Sequence, residues 1–123
     1  MHARPKSAEQ LYQDLLQMHQ EAFAAARFEL AYHVLAAALH AAEEAENLDW
    51  LGDIEDLAKD RQAEIDTSHP DEKISSVSAG GRGNVARFTA LAATAAATRG
   101  RIVAQRALQR THELDTELGL GGS

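Results

Sequence analysis

The chain reads as an all-α protein: three antiparallel helices in a hairpin stack, then a Ser/Gly linker and a long alanine-rich C-terminal helix. Three observations predict this. Apolar residues recur at helical spacing through most of the 123 residues, and no segment alternates apolar with polar residues over the length of a strand. The joints between the first three periodic segments are very short, which makes consecutive helices antiparallel neighbours. Only 5% of residues are aromatic, and much of the 45% apolar fraction is alanine. So little side-chain bulk predicts a thin core that a partner or a second copy completes.

Ser7, followed three residues later by Gln10, supplies a capping box for a first helix over 8–26. Its inner stripe is Leu11, Leu15, Met18, Ala22 and Ala26, widened by Tyr12, Leu16 and Phe23. A second helix over 28–46 turns Ala31, Val34, Leu35, Ala38, Leu39 and Ala42 inward, with Asn47 available to end it. Glu43, Glu44 and Glu46 oppose the dipole at its C-terminus and mark a solvated surface. A third helix over 48–66 buries Trp50 or Leu51, then Ile54, Leu57, Ala58 and Ile65. Pro70 disfavours helical geometry at His69 and stops it.

Residues 67–83 read as a flexible linker between an acidic hairpin domain, 8–66, and a basic helix, 84–118, that packs on the same domain or on a neighbouring subunit. Asn84 is placed to cap that helix, and Phe88, Leu91, Ala95, Ile102, Leu108 or Gln109, Leu114 and Leu118 follow its inner side. Gly100 lies in its middle, where glycine costs about 0.5–1 kcal/mol relative to alanine, and predicts a kink or break. Residues 1–7 and 119–123 are expected as a disordered arm and tail.

Charge follows the same division. Residues 1–79 hold 6 basic and 16 acidic side chains, whereas residues 80–123 hold 6 arginines and 3 acids. The absence of cysteine excludes disulfides, thiolate zinc sites and cysteine nucleophiles. The basic start is followed by a charged helical pattern instead of the apolar stretch of a secretory signal. The most apolar windows, Ala31–Ala42 and Thr89–Thr98, fall short of the roughly 20 residues that a bilayer requires. A cytoplasmic location is the expectation, with no membrane contact.

The second helix carries Ala26-x-Phe28-x-x-Ala31-x-x-x-Leu35-x-x-Ala38-Leu39, and Leu48-x-x-Leu51-Gly52 follows. This pattern resembles the second half of a tetratricopeptide repeat and the start of a following one, over roughly Leu15–Leu57. Small residues let antiparallel helices approach, while larger ones fill the groove between repeats. The resemblance implies a scaffold that holds peptide segments in a concave groove. The first half departs from the family: Leu15, Met18, His19 and Ala22 stand where Trp, Leu, Gly and Tyr are usual, and Glu43 occupies the place of a proline. Histidine at the close-contact position is expected to push the helices apart.

No spacing in the chain assembles a catalytic site, and no cofactor is expected. His33 and His40 lie seven apart, with Glu29 four before the first and Glu44 four after the second, so each pair offers one nitrogen and one oxygen to a metal. The Glu-x-x-His of a di-iron bundle is absent, and helix-surface pairing is the favoured reading of these residues. The Gly-rich run before Asn84 lacks a phosphate-loop pattern and reads as a hinge. Arg99, Arg106 and Arg110 share one side of the last helix. They suit docking onto the acidic hairpin better than nucleic-acid binding, which the net charge of −7 and the lack of interleaved aromatics disfavour. The expected function is a non-enzymatic protein-interaction module that binds a protein, a peptide or a further copy of itself. Its expected contact residues are Tyr12, His19, Tyr32, His33, His40, Trp50 and Asp53.

Overall fold

A computed structural model describes residues 4–119 and is all-helical there: α1 Ala8–Ala24, α2 Phe28–Ala45, α3 Leu48–Ser68, α4 Ser76–Gly81 and α5 Arg87–Glu117. The expected arm at 1–3 and tail at 120–123 lie outside the described residues. No strand occurs among the described residues, and none of their helices is long and apolar enough to cross a membrane.

The helices start where side chains can satisfy their free N–H groups. Ser7 Oγ accepts from the Gln10 amide at 3.1 Å, and Gln10 Oε1 accepts from the Ser7 amide at 2.9 Å, completing the capping box. Asn47 both ends α2 and caps α3: after Glu46 in the left-handed conformation, φ 50°, its amide donates to the Ala42 carbonyl at 3.1 Å, and its Oδ1 accepts from the Trp50 amide at 3.1 Å. The first turn uses the same conformation at Ala26, φ 58°, so the first helix stops at Ala24 and Ala26 leaves the stripe.

α1 and α2, α2 and α3, and α3 and α5 run antiparallel, so α1 is parallel to α3 and α2 is parallel to α5. α1 packs on α2, α3 packs on α5, and α2 touches both α3 and α5. Along α2 and α5, Glu29 lies beside Arg87 and Tyr32 beside Phe88 at one end, while Thr98 meets Glu43 and Arg106 meets Glu46 at the other. Along α1 and α3, Tyr12 meets Trp50 and His19 meets Arg61. The chain is thus two helical hairpins side by side, α1–α2 and α3–α5, with α4 inserted in the second.

The core lies between the hairpins. Ala31, Leu35, Ala38, Leu39 and Ala42 of α2, Leu51, Ile54, Ala58 and Ile65 of α3, and Phe88, Leu91, Ala95 and Ile102 of α5 are buried as the periodicity predicts. The α1 stripe is corrected. Its buried residues are Tyr12, His19, Ala22 and Phe23, while Leu11 and Met18 are exposed. α1 touches α3 as well as α2, and that second contact rotates its buried arc toward the aromatics. Val34 is half-buried, and Leu108, Leu114 and Leu118 are exposed because α5 outruns the rest of the molecule.

The expected linker also differs. α3 continues through Thr67 and Ser68, and the segment before α5 folds into α4, capped by Ser75. Ser75 Oγ donates to the Pro70 carbonyl at 2.7 Å and accepts from the Ser78 amide at 3.1 Å, while Ile74 and Ala79 enter the core. The Asp66 carboxylate accepts from the Ser76 amide and hydroxyl at 2.7 and 2.6 Å and from Gln62 Nε2 at 3.0 Å. Burial pushes the Asp66 carboxyl up, but these bonds to its charged form outweigh burial and hold it below the usual carboxylate range. α5 starts at Arg87 without a side-chain cap, so Asn84 does not cap it.

α5 runs unbroken through Gly100, contrary to the expected kink, since the 31-residue helix keeps its hydrogen bonds there. A Cβ on Gly100 would meet nothing within 4 Å. Gly100→Ala is therefore expected to stabilise the fold by about 0.5–1 kcal/mol, read as a raised denaturation midpoint. An unchanged or lowered midpoint would contradict the regular helix at this position.

Candidate functional site

The most constrained polar group in the molecule is His19. It is fully buried; its Nδ1 lies 2.7 Å from the Ala31 carbonyl of α2, and its Nε2 accepts from Arg61 Nε of α3 at 3.1 Å. One protonation state satisfies both contacts: Nδ1–H donates to the carbonyl, and bare Nε2 receives the guanidinium N–H. Burial, with the nearby Arg61 charge adding to it, outweighs the Ala31 bond and holds His19 below the ordinary histidine pKa. Arg61 is fixed in turn, its guanidinium carbon 4.3 Å from the centre of the Phe23 ring. Phe23 meets Phe28 and Phe88 edge-on, at centroid distances of 5.2 and 6.3 Å.

Tyr12 and His19 are therefore corrected from contact residues to core residues. Tyr12 stacks on Trp50 at 4.4 Å and 8° between the ring planes. Burial and the nearby Asp53 charge push its hydroxyl up to about 12. Histidine does not push the hairpin apart, because both ring nitrogens find partners in it. Tyr32 and Trp50 are half-buried, while His33, His40 and Asp53 are exposed. These residues do not converge on one surface: Tyr32 faces Phe88 and Arg87, and Trp50 lies against α1.

The metal alternative loses its geometry as well. His40 Nδ1 lies 3.3 Å from Glu43, not Glu44, and Glu29 lies 3.9 Å from Arg87. Among the described residues, no three His, Asp or Glu side chains are placed to share an ion. Of the arginines singled out in the sequence, Arg106 Nη2 donates to the Glu46 carbonyl at 2.7 Å, at the negative end of α2. Arg99 lies over Gly52, its Nε 3.9 Å from where a Cβ would stand, and Arg110 lines a groove with Leu48.

Sequence reasoning missed the open apolar face. Leu11, Met18 and Leu30 are 49%, 53% and 52% exposed. Leu15, Val34, Ala37 and Ala41, half-buried, share their side of the hairpin. At its end Leu11, Ala41, Glu44 and Ala45 enclose a shallow hollow of about 280 Å³. Nothing among the described residues covers this row. The stripe was visible in the sequence; that it faces outward was not. A second groove, between α3 and α5, is floored by Thr89, Ala92, Ala93 and Ala96. Gln62 lines it, and its buried Oε1 has no partner.

His19 generates a pH prediction. With its folded pKa below the unfolded value of about 6.5, the unfolded chain binds the proton more tightly, so this stabilisation is complete above that value and declines as pH falls below it. Denaturant midpoints measured across this range are expected to fall more steeply with acidity in wild type than in His19→Gln. Parallel profiles would show that the ring is not held neutral.

Comparison of the chain with protein-family models, with curated proteins and with solved structures returns no match.

Proposed function

We propose that the chain is a non-enzymatic helical interaction module that presents the outer face of the α1–α2 hairpin to a partner protein. The observation that carries this reading is the row of Leu11, Met18 and Leu30, about half exposed and flanked by half-buried Leu15 and Val34, in a protein with few large apolar side chains to spare. Two helical hairpins with parallel α1 and α3, and parallel α2 and α5, support a tetratricopeptide-like arrangement. In such a stack each hairpin buries one face against its neighbour, and a terminal hairpin without a polar outer face retains an open one. The buried histidine supports a scaffold over an enzyme, since both its nitrogens are engaged in packing. No serine or threonine hydroxyl hydrogen-bonds a histidine ring among the described residues.

Met18→Glu with Leu30→Glu tests the reading. Both side chains are half-exposed, so far-ultraviolet dichroism is expected to stay unchanged while capture of proteins from native lysate, further copies of the chain included, is lost. Val77→Glu, on exposed α4, is the control and is expected to capture as wild type does. An identical captured set from the double variant would overturn the proposal.

The same untagged preparation is expected to contain less than stoichiometric iron, zinc or manganese. One tightly held ion per chain would move the reading to Glu29, His33, His40 and Glu44.

A further inference from the structure

We infer that the occupant of the α1–α2 face is a second copy of this chain, which contributes the free C-terminal half of its α5. The inference rests on the reading of that face as a docking surface and adds the identity of what docks.

From Val103 to Glu117 every residue of α5 is exposed. Continued from the packed half of α5, which supplies the costly nucleus, this segment stays helical and is free to lie on a further surface. It carries the means to do so. Val103, Ala107, Leu114 and Leu118 are spaced by 4, 7 and 4 and fall along one side of the helix, all of them exposed. The molecule therefore holds two uncovered apolar rows, one on α1–α2 and one on the overhang. At 1.5 Å per residue the overhang spans about 22 Å and α1 about 25 Å, so one fits along the other.

Charge selects both the partner and the direction. α1 and α2 carry Glu9, Asp14, Glu21, Glu29, Glu43 and Glu44 and no lysine or arginine; Lys6, just before α1, bonds Asp14. Arg27 stands in the turn at the far end. The overhang is ordered in the complementary sense, with Arg101, Arg106 and Arg110 at its base and Glu113, Asp115 and Glu117 at its tip. Laid parallel to α1, it brings its arginines to Glu9 and Glu44 and its acids to the turn, where Arg27 stands between Glu21 and Glu29 and Arg87 faces Glu29. Laid in reverse, it sets its three acids against Glu9 and Glu44. Exchange of both overhangs makes a closed pair, in which each copy covers the other's apolar face.

Sedimentation equilibrium over a range of concentrations tests this on the full chain. Wild type is expected to reach the mass of two chains. Leu114→Glu with Leu118→Glu, which alters the overhang, and Met18→Glu with Leu30→Glu, which alters the face, are each expected to weaken self-association about tenfold or more. All four side chains lie outside the core, so each variant is expected to keep its helical dichroism. The decisive measurement is the mixture. One chain with an intact face and one with an intact overhang restore a docked contact, so an equimolar mixture is expected to associate about tenfold more tightly than either variant alone. Arg101→Glu with Arg110→Glu is expected to weaken the pair and to remove much of its sensitivity to salt.

A wild type that stays single at every concentration overturns the inference; the α1–α2 reading then stands or falls on the lysate experiment. A dimer that survives the overhang variant, or a mixture that recovers nothing, also overturns it. If the face variant changes neither mass nor captured set, the reading of the face itself is what fails.

Discussion

The packing of the two hairpins against one another depends on the neutral imidazole of His19. Its ring joins three helices at once: α1 supplies it, α2 accepts its proton through the Ala31 carbonyl, and α3 donates to it through Arg61. A buried polar group with one partner missing costs about 1–3 kcal/mol, which makes the position of each helix conditional on the other two. An apolar side chain would fill the same space without specifying which carbonyl or guanidinium stands beside it. In a core built largely from alanine, such a directional contact supplies the register that bulk does not. Arg61 then extends the constraint through Phe23 to Phe28 and Phe88, so one node orders the aromatic centre of the molecule.

The surfaces left open follow from this arrangement. With Tyr12, His19 and Phe23 turned toward α3, the Leu11 and Met18 side of α1 has no neighbour among the described residues. Alanine on the inner side of α2 lets α1 and α3 approach closely, and the larger Leu30 and Val34 are displaced to the outer side. α5 is longer than the helix it packs on, and its polar C-terminal half extends past the α2–α3 turn, held there by the single bond from Arg106 to Glu46. An acidic first hairpin and a basic last helix in one chain give association a preferred pairing, although salt confines that attraction to roughly 8 Å.

Helix existence and most of the inner faces were legible because period and burial coincide where a helix has neighbours on one side. Ala31, Leu35, Ala38 and Leu39 on α2 and Ile54, Ala58 and Ile65 on α3 illustrate this. The α1 stripe was misplaced because two overlapping apolar arcs are present in its sequence, Leu11–Leu15–Met18 and Tyr12–Leu16–Phe23, and hydrophobicity favours the wrong one. Nothing in a helical wheel marks His19 as the residue that decides between them. Gln62 was illegible for the same reason, since its carboxamide enters the core to meet the Ile74 carbonyl twelve residues on, whereas Ser75 is held by its near neighbours Pro70 and Ser78.

What the amino-acid sequence determined unaided is local: an all-helical chain, the Ser7 capping box, the turns too short for anything but antiparallel neighbours, and the segregation of acid from base. These depend on interactions between residues a few positions apart, and such interactions can be read along a line. The tertiary structure alone decided which arc of α1 is buried, that the segment before α5 folds into α4, and that α5 passes straight through Gly100. Each of those outcomes is set by what a second or third helix presents at the same place, and that depends on the packing of groups distant in sequence.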